Sequence, residues 1–388
     1  MLRVVTLSTL YPDATRPGFG GFVERQTRGL ATLADVEVTV VAPVGLPPGP
    51  LANIGRYAPL STLPRVETWN GLTVHRPRFV NLAGTGGRFH VAMLARAVAP
   101  LLRRLQAERG FDVIDAQFFF PDGPAAVALG RRFGVPVSIK ARGGDIHGWG
   151  AAPAIRPALV TAARAADGLL AVSGELRDDM IAMGMQGERI AVHRTGNDRD
   201  RFRPRDRAPL KAALGVAGPL VASVGTLNAN KGHAVVIAAM RRLPGVTLLI
   251  AGDGPDRAAL AAAIANAGLG DRVRLLGRLS HDETADLLAA ADVMALASAA
   301  EGLANVWVES LASGTPIVIT AAGGAHEVIA GPGAGRIAAR TPEAFAAAIA
   351  ALLADPHAQD AVAAMAARFD WDVNAAELRD HLARLVAG

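Results

Sequence analysis

Two glutamates and a short helix between two predicted strands form the strongest candidate binding segment. Glu301 and Glu309 begin and end the run Glu-Gly-Leu-Ala-Asn-Val-Trp-Val-Glu, which follows an apolar stretch and precedes Gly314 and Pro316. We expect a loop at Glu301 and a helix from about Asn305 to Ala312, because glycine and proline end helices. The free N–H groups at the start of that helix could bind a diphosphate, and each carboxylate could accept hydrogen bonds from sugar hydroxyls. Either glutamate taken alone is better explained as a surface charge.

A second candidate segment places a lysine after a strand end. The strand predicted over Leu220–Val224 is followed by Gly225, Thr226 and then Lys231, which precedes a helix. The glycine lets the chain turn, and the ammonium of Lys231 could reach a phosphate as a compact charge. A solvated lysine at a helix start is the simpler alternative. This chain has only three lysines, however, and uses arginine for its other cations, which favours a specific role for Lys231.

In the first half of the chain, two loops that follow strands carry candidate residues. Gly20 and Gly21 precede a helix, so their backbone amides could approach a phosphate closely, although a tight turn explains the pair equally well. Arg142 and Asp145 begin and end the run Arg-Gly-Gly-Asp after another strand. The arginine could stabilise developing negative charge, but it cannot act as a base at neutral pH. The nearby His147 is more simply a surface or structural residue.

Short apolar runs alternate with helical stretches along the chain, and the rhythm restarts after Pro209. This alternation predicts parallel sheets covered by helices, in two doubly wound α/β domains. We expect domains over residues 1–203 and 204–366 and a closing helical segment over residues 367–388. Ligands of such sheets bind beyond the carboxyl ends of the strands, so a site is expected in the cleft between the domains. The predicted strands are Arg3–Leu7, Val36–Ala42, Leu72–Arg76, Val113–Ala116, Val135–Ile139, Gly168–Val172 and Ile190–His193, then Leu220–Val224, Val246–Ala251, Val273–Leu276, Val293–Leu296 and Pro316–Thr320.

Together these motifs resemble the signature of glycosyltransferase family 4. The resemblance rests on Glu-Gly-x-x-Asn-Val-x-x-Glu-x-Leu-Ala-x-Gly-x-Pro with Gly323 and Gly324 after it, and on the glycine and Lys-Gly segment at Lys231. The opening Pro-Gly-x-Gly-x-Phe-Val-Glu-Arg is similar to that of members that assemble bacterial exopolysaccharides. The resemblance implies the GT-B fold, in which two Rossmann-like domains face each other across a cleft. It also implies a first domain that binds the acceptor, a second that binds the nucleotide sugar, and a closing helix that packs back on the first.

The resemblance further implies roles for individual residues. Glu301 would approach the donor sugar, Glu309 the nucleotide ribose and Lys231 the diphosphate. Two positions depart from the common family pattern, because Thr226 stands where many members have arginine and Arg142 where many have histidine. The candidate catalytic set is Glu301, Lys231, Arg142 and Asp145, and the candidate substrate-binding set is Gly20, Gly21, Gly225, Thr226, Arg278, Gly302, Leu303, Ala304, Asn305 and Glu309.

The activity that the resemblance implies is transfer of a hexose from a UDP- or GDP-sugar to an acceptor hydroxyl, with retention of configuration and without a metal or further cofactor. The acceptor would be a saccharide or lipid-linked saccharide in cell-surface polysaccharide or glycolipid biosynthesis. Three alternatives stay open: a sugar-nucleotide epimerase of the same fold, a non-catalytic sugar-nucleotide or polymer-binding protein, and a dinucleotide-dependent oxidoreductase. Against the oxidoreductase, the sequence lacks the Gly-x-Gly-x-x-Gly turn that binds a dinucleotide.

Composition and charge limit the remaining classes of function. The 388 residues are 51% hydrophobic and contain no cysteine, which excludes disulfides, thiolate metal sites and a cysteine nucleophile. Residues 1–206 carry a net charge of +8 and residues 207–388 a net charge of −3. The basic half could attract an anionic membrane or a phosphate-bearing acceptor, or it could reflect an arginine-rich composition. Nucleic-acid binding is not indicated, because the sequence has no stripe of alternating aromatic and basic residues. We expect a cytoplasmic protein, with association at the inner face of the cytoplasmic membrane left open.

Overall fold

The computed structural model describes residues 1–388, which divide into two compact units. The first unit comprises residues 1–196 together with 371–388, and the second comprises residues 197–370. The chain passes into the second unit several residues before the boundary expected at residue 203. The reason is that Asn197 already pairs with the end of the second unit, where its backbone N–H donates to the carbonyl oxygen of Phe369 at 3.0 Å.

The first unit contains an eight-stranded sheet in the order β10-β9-β8-β7-β1-β2-β5-β4 and a separate pair, β3 and β6. All neighbours are parallel except the hairpin of β4 and β5. The strands are β1 (Leu2–Leu7), β2 (Val36–Val41), β3 (Val44–Leu46), β4 (Val66–Trp69), β5 (Leu72–His75), β6 (Arg78–Val80), β7 (Val113–Ala116), β8 (Val137–Ala141), β9 (Gly168–Ala171) and β10 (Ile190–Val192). The helices are α1 (Gly21–Ala31), α2 (Ala58–Ser61), α3 (His90–Glu108), α4 (Asp122–Phe133), α5 (Arg156–Ala165) and α6 (Gly174–Ala182).

The centre of the first sheet is covered on both faces. Every residue of β7, β8 and β9 is buried, as expected of parallel strands that lie between two helical layers. The chain order reverses between β1 and β7, because β1 is hydrogen-bonded to β2 on one side and to β7 on the other. Such a reversal leaves a crevice beyond the carboxyl ends of the two strands, where ligands of doubly wound sheets bind.

The second unit contains a fully parallel six-stranded sheet in the order β13-β12-β11-β14-β15-β16. Its reversal point lies between β11 and β14, which are direct neighbours. The strands are β11 (Leu220–Val224), β12 (Thr247–Ala251), β13 (Val273–Gly277), β14 (Val293–Leu296), β15 (Ile317–Ile319) and β16 (Gly335–Ile337). The helices are α7 (Arg207–Ala213), α8 (His233–Ala239), α9 (Arg257–Asn266), α10 (His281–Ala290), α11 (Asn305–Ala312), α12 (Ala325–Val328), α13 (Pro342–Ala354) and α14 (Gln359–Ala364).

The last helix, α15 (Trp371–Ala387), belongs to the first unit. Its buried Leu378 and Leu382 join the core formed by Val4 of β1 and Leu30 of α1. Gly29 of α1 faces Ala375 of α15, and a Cβ at that glycine would lie 3.4 Å from the Ala375 Cβ. The glycine thus allows the two helices to approach closely.

The two doubly wound sheets, one fully parallel and one parallel except at β4, confirm the expected fold class. Four further strands, β3, β4, β6 and β16, were not predicted. No helix combines the length and the apolar character that a membrane span requires.

Candidate functional site

The strongest site in the second unit lies at the reversal point of its sheet. Lys231 is in the loop after β11, and Glu301 is in the loop after β14. Their side chains meet, with 2.5 Å between Lys231 Nζ and Glu301 Oε1. Both side chains are largely buried, at 20% and 11% exposure. Two candidate residues that are 70 positions apart are therefore brought together where doubly wound sheets bind ligands.

Asn230 holds the two loops in register. Its backbone carbonyl accepts from Ala299 N at 2.7 Å. Its side chain donates to Ala300 O at 3.0 Å and accepts from Ala300 N at 3.1 Å. Sequence reasoning missed Asn230. The available signal was an amide side chain directly before Lys231 in a strand-end loop, because asparagine commonly bonds to backbone in such loops.

Two glycines allow the close loop packing at this site. Gly232 has a φ of +67°, and a Cβ there would lie 2.0 Å from the carbonyl oxygen of Ala297. Gly323 has a φ of +55°, and a Cβ there would lie 2.4 Å from the carbonyl oxygens of Glu301 and Gly302. The next residue, Gly324, donates its N–H to Gly302 O at 2.7 Å. A side chain at either of the first two positions would displace the loops that carry Lys231 and Glu301.

Helix α11 begins four residues after Glu301. Its boundaries agree with the predicted helix, and no side chain caps its first amides. Leu303 and Ala304 are almost fully buried, at 8% exposure each, so they act through backbone and packing. Glu309 lies one turn into the helix and is half-buried. The uncapped start of the helix supplies N–H groups and partial positive charge beside Glu301, which suits an anionic ligand.

The turn at Gly225 and Thr226 packs tightly against the next strand end. A Cβ at Gly252 would lie 1.9 Å from Gly225 O, and Leu227 N donates to Asp253 O at 3.1 Å. Thr226 is exposed. The turn is thus fixed by its contacts with Gly252 and Asp253, while Thr226 remains exposed to solvent.

Arg278 follows β13 directly and is exposed. It forms no ion pair. No hydrogen bond or ion pair joins Arg278 to Lys231 or Glu301. No group of three or more histidine, aspartate or glutamate side chains in the chain is placed to hold a metal ion.

His233, the first residue of α8, is a further residue of interest that sequence reasoning did not select. Its ring is buried, at 1% exposure, and its Nδ1 lies 2.9 Å from Ser223 Oγ. Burial, with a smaller contribution from the nearby charge of Lys231, lowers the pKa of His233 to about 4. The imidazole is consequently neutral at pH 7 and supports the Gly225 turn from beneath, since a Cβ at Gly225 would lie 3.7 Å from its Nε2.

In the first unit, Arg142 lies against the start of α1. Its Nε donates to the carbonyl oxygen of Gln117 at 3.2 Å, and one terminal nitrogen donates to the side-chain oxygens of Gln26 and Gln117. The guanidinium carbon also lies 5.0 Å from the centre of the Phe22 ring. Burial lowers the pKa of Arg142 to about 10, so the side chain remains charged at pH 7. The hydrogen-bond partners of its guanidinium are neutral oxygens, and the nearby carboxyl groups of Asp115 and Asp145 favour its charged form.

Asp145 is fully buried, and its carboxylate binds backbone amides. It accepts from Phe119 N at 2.7 Å, from Arg142 N at 2.9 Å and from Ile146 N at 3.1 Å. Burial raises its pKa, while these amide hydrogen bonds oppose the shift. Asp145 therefore joins the loops after β7 and β8 and positions Arg142. His147 pairs instead with Asp179 of α6 at 2.8 Å.

The glycine pair before α1 divides into two roles. Gly20 has a φ of +70°, and a Cβ there would lie 2.4 Å from Leu10 O. Backbone conformation and packing therefore explain why position 20 is a glycine. A Cβ at Gly21 would meet no atom within 4 Å. Packing therefore does not require a glycine at position 21.

A buried polar network lies beneath Arg142. Lys140 of β8 is fully buried, and its Nζ donates to Gln26 Oε1 at 2.8 Å and approaches His193 Nδ1 at 2.7 Å. His193 Nε2 lies 2.9 Å from the carbonyl oxygen of Asn374 in α15. Burial lowers the pKa of both Lys140 and His193 well below their usual values. The network fixes Gln26, which in turn fixes the guanidinium of Arg142.

Comparison with known proteins gives matches over most of the chain. The model of the glycosyl transferase 4-like domain matches residues 18–196, and that of the glycosyl transferases of group 1 matches residues 206–369. A Bacillus subtilis protein, TuaC, whose name assigns it as a glycosyltransferase to teichuronic acid biosynthesis, is 26% identical over 83% of this chain and 82% of its own length. D-inositol 3-phosphate glycosyltransferase of Mycobacterium tuberculosis is 39% identical, but over 39% of this chain and 33% of its own length.

Solved structures match the whole chain. The sucrose-phosphate synthase of Thermosynechococcus elongatus has a TM-score of 0.83 at 19% identity, with complete coverage of both chains. Anabaena Alr3699/HepE, solved in complex with UDP, has a TM-score of 0.77 at 21% identity and covers 99% of this chain and 100% of its own. These likenesses establish the GT-B fold. With its 4-like domain followed by a group 1 domain, the chain belongs to the GT-B glycosyltransferases of family 4.

Proposed function

We propose that this protein transfers a hexose from a UDP- or GDP-sugar to an acceptor hydroxyl, with retention of anomeric configuration. The observation that carries the proposal is the contact between Lys231 and Glu301 at the reversal point of the second sheet. A cation for the diphosphate and a carboxylate for the sugar hydroxyls are adjacent there, beside the uncapped start of α11. Among solved relatives of this fold, HepE was crystallised with UDP-glucose, which makes UDP-sugars the first donors to test.

The proposed donor site divides the ligand among three groups. Lys231 and the α11 amides bind the diphosphate, Glu301 binds hydroxyls of the transferred sugar, and Glu309 binds the ribose. Without ligand, Lys231 and Glu301 neutralise each other, so neither charge is left unpaired in a largely buried place. When the donor binds, the phosphate takes over Lys231, and Glu301 exchanges the ammonium for sugar hydroxyls.

The proposed reaction needs no covalent intermediate on the protein. The bond between the anomeric carbon and the diphosphate oxygen breaks. The acceptor oxygen forms its bond to the same carbon on the same face, and the acceptor proton passes to the departing phosphate oxygen. Lys231 stabilises the charge that develops on that phosphate. Arg142 is a second candidate for charge stabilisation, because it remains charged and is bound only to neutral oxygens.

We further propose that the reaction proceeds without a metal or another cofactor, as family resemblance implies. Full activity after exhaustive treatment with EDTA supports this part of the proposal. Loss of activity that Mg²⁺ or Mn²⁺ restores contradicts it.

The cellular role that we propose is synthesis of a cell-surface polysaccharide or glycolipid, on a saccharide or lipid-linked saccharide acceptor in the cytoplasm. The name of TuaC supports this choice. The net charge of +8 over residues 1–206 supports contact with the anionic inner face of the cytoplasmic membrane. Flotation with vesicles that contain phosphatidylglycerol tests that contact, and vesicles of phosphatidylcholine alone serve as the control.

A ligand screen followed by product analysis tests the proposal. UDP, GDP and ADP and their sugars are compared by thermal shift, where a ligand at 100 times its Kd stabilises the protein by about 2.7 kcal/mol. The anomeric configuration of the product is then read from the proton coupling at the anomeric carbon. If no nucleotide stabilises the protein, the donor site is wrong. An inverted product contradicts retention while leaving the donor site intact.

A further inference from the structure

A cavity of about 410 Å³ lies in the first unit, outside the candidate residues described above. Three of its walls come from chain segments that follow parallel strands. Thr9 follows β1, Val44 lies beyond β2, and Phe118 and Phe120 follow β7. The cavity therefore opens at the carboxyl edge of the sheet, beside the reversal point between β1 and β7, which is where such sheets bind ligands.

Aromatic rings form one continuous wall of this cavity. The ring centres of Phe120 and Trp149 are 5.0 Å apart, those of His90 and Trp149 are 5.9 Å apart, and those of Phe79 and His90 are 6.1 Å apart. Phe120 and Phe79 are buried, whereas Trp149 is half-exposed and presents ring surface to the cavity. Flat ring surfaces of this kind pack against the C–H faces of ligands, and the polar tip of tryptophan remains available for a hydrogen bond.

Two glycines allow the rings to pack where they do. Gly87 has a φ of +83°, and a Cβ there would lie 2.8 Å from Cζ3 of Trp149. A Cβ at Gly45 would lie 2.7 Å from Cζ of Phe79. The backbone therefore packs closely against the rings of Trp149 and Phe79. The rings are held before a ligand arrives, which lowers the entropy lost on binding.

Polar groups line the rest of the cavity. His90 Nε2 lies 2.9 Å from Asn81 Oδ1, and burial lowers the pKa of His90, which keeps the ring neutral at pH 7. Arg16 is already paired with Asp13 at 2.7 Å. Arg56 is exposed, donates to the hydroxyl of Tyr57 at 2.9 Å and pairs with no carboxylate. The uncompensated charge of the cavity thus belongs to Arg56.

We propose that this cavity binds the acceptor through a saccharide ring that carries an anionic substituent. The ring packs on Trp149, its hydroxyls bond to Asn81 and His90, and Arg56 binds the carboxylate or phosphate. A purely apolar occupant would remove water from these polar groups without replacing their hydrogen bonds, which is unfavourable. A neutral sugar would leave the charge of Arg56 without an anionic partner. This assignment rests on the proposed transferase function and adds the chemical class of the acceptor to it.

Three probes that differ only at the sixth carbon test the proposal: p-nitrophenyl β-D-glucoside, its 6-phosphate, and p-nitrophenyl β-D-glucuronide. Calorimetric titration of the full-length protein gives a Kd for each. We expect the two anionic probes to bind about fivefold more tightly than the glucoside, as a charge-assisted hydrogen bond to an exposed arginine allows. The stronger of the two anionic probes distinguishes a phosphate from a carboxylate as the natural substituent.

Variants separate the ring contact from the charge contact. Arg56→Gln should bring the anionic probes to the affinity of the glucoside and leave the glucoside unchanged, whereas Trp149→Ala should weaken all three by about tenfold. Trp149→Phe keeps a ring and should lose less. The control Arg103→Gln changes an exposed arginine of α3 and should change nothing.

The outcomes distinguish this proposal from the transferase proposal. Thermal stabilisation by UDP or GDP is measured on every variant, and it shows separately whether the donor site of the second unit is intact. If the nucleotide binds and no glycoside does, the acceptor cavity is wrong and the donor site stands. Equal binding of all three glycosides, or no effect of Arg56→Gln, overturns the anionic acceptor. If glycosides bind and no nucleotide does, the transferase proposal fails while the saccharide cavity stands.

Discussion

Lys231 and Glu301 form an ion pair that joins the loops after β11 and β14 at 2.5 Å. A second pair in the same unit, Lys211 with Asp292, is almost equally short at 2.6 Å and similarly buried, with exposures of 17% and 23%. Lys211 also donates to a carbonyl oxygen at 3.3 Å. Asp292 also accepts from Leu220 N at 2.7 Å. The two pairs are alike in length and burial, and the first alone lies beside the start of α11. Substitution of Lys211 is therefore a matched control for substitution of Lys231.

Replacing Lys231 with alanine should abolish measurable nucleotide stabilisation and reduce transfer by about a hundredfold or more, because one preorganised charge at a developing anion contributes on that scale. Lys211→Ala should also lower stability, although Asp292 keeps its hydrogen bond from Leu220 N, because each change removes the cation from a largely buried carboxylate. It should leave nucleotide binding unchanged. Thermal shift with and without UDP or GDP measures both effects, and equal nucleotide binding by the two variants contradicts the donor site.

Glu301→Gln should separate sugar binding from nucleotide binding. The amide keeps the size of the side chain and loses the charge that pairs with Lys231, so UDP alone should bind at least as well as before. Transfer should fall by about a hundredfold, because charge complementarity to the reacting sugar is lost. Steady-state kinetics alongside UDP titration measure the difference. Loss of UDP affinity in parallel with activity would assign Glu301 to the nucleotide instead of the sugar.

Gly323→Ala should disrupt the loop of Glu301. The φ of +55° disfavours alanine, and the added Cβ would lie 2.4 Å from the carbonyl oxygen of Glu301. We expect a loss of about 1–3 kcal/mol in the free energy of unfolding, together with reduced transfer. Gly331→Ala is the matched control, because its φ of −174° is extended and no atom lies within 4 Å of the added carbon. Denaturant unfolding and transfer assays on both variants test the expectation.

His233 should make the stability of the protein depend on pH below neutrality. Its folded pKa of about 4 lies below the usual value of 6.5, so the unfolded chain binds a proton between these pH values and the folded protein does not. Stability therefore falls as pH decreases from about 6.5 to 4. The buried carboxyl of Asp122, with a pKa raised to about 8, has the opposite dependence. The difference between wild type and His233→Gln isolates the histidine, and parallel stability curves for the two proteins would contradict its buried neutral state.

Arg142→Lys should lower transfer without lowering nucleotide stabilisation. The lysine keeps the charge but cannot reproduce the fork that binds Gln117 and Gln26. We expect about a tenfold loss of transfer if Arg142 acts on the reacting groups. Arg132→Lys, on an exposed residue of α4, is the control. Unchanged transfer in Arg142→Lys restricts the residue to structural support.

Hydrophobic patterning predicted the sheets well because the central strands are buried on both faces. The runs at Val113–Ala116 and Leu220–Val224 are mostly apolar, with Asp115 and Ser223 as their single polar residues, and they are bounded by polar turns, so their limits could be predicted from sequence. Strand β4 was missed because it alternates between exposed and half-buried residues at a sheet edge. A signal was nevertheless present in Asn70-Gly71, a two-residue turn in which Asn70 has a φ of +46°.

The candidate site could be predicted in its residue types but not in its contacts. Spacing identified Glu301 with its helix, and a rare lysine suggested Lys231, yet no pattern indicates that residues 70 positions apart share an ion pair. For Asp145, the sequence suggested a chemical role, and the contacts of the side chain favour a different one. A carboxylate after a strand end is compatible with catalysis, and only its burial and its three backbone amide partners reveal a positioning role.

Helix α15 has a consequence for the order in which the protein is made. The first unit is assembled from residues 1–196 and 371–388, so the ribosome synthesises the whole second unit before the helix that covers α1. Until then, the apolar face around Leu30, which later contacts Leu378 and Leu382, stays exposed in the nascent chain. The second unit has no such dependence and can fold as soon as it emerges, since domains generally fold as units during synthesis. The amino-terminal half of this chain is thus made first and finished last.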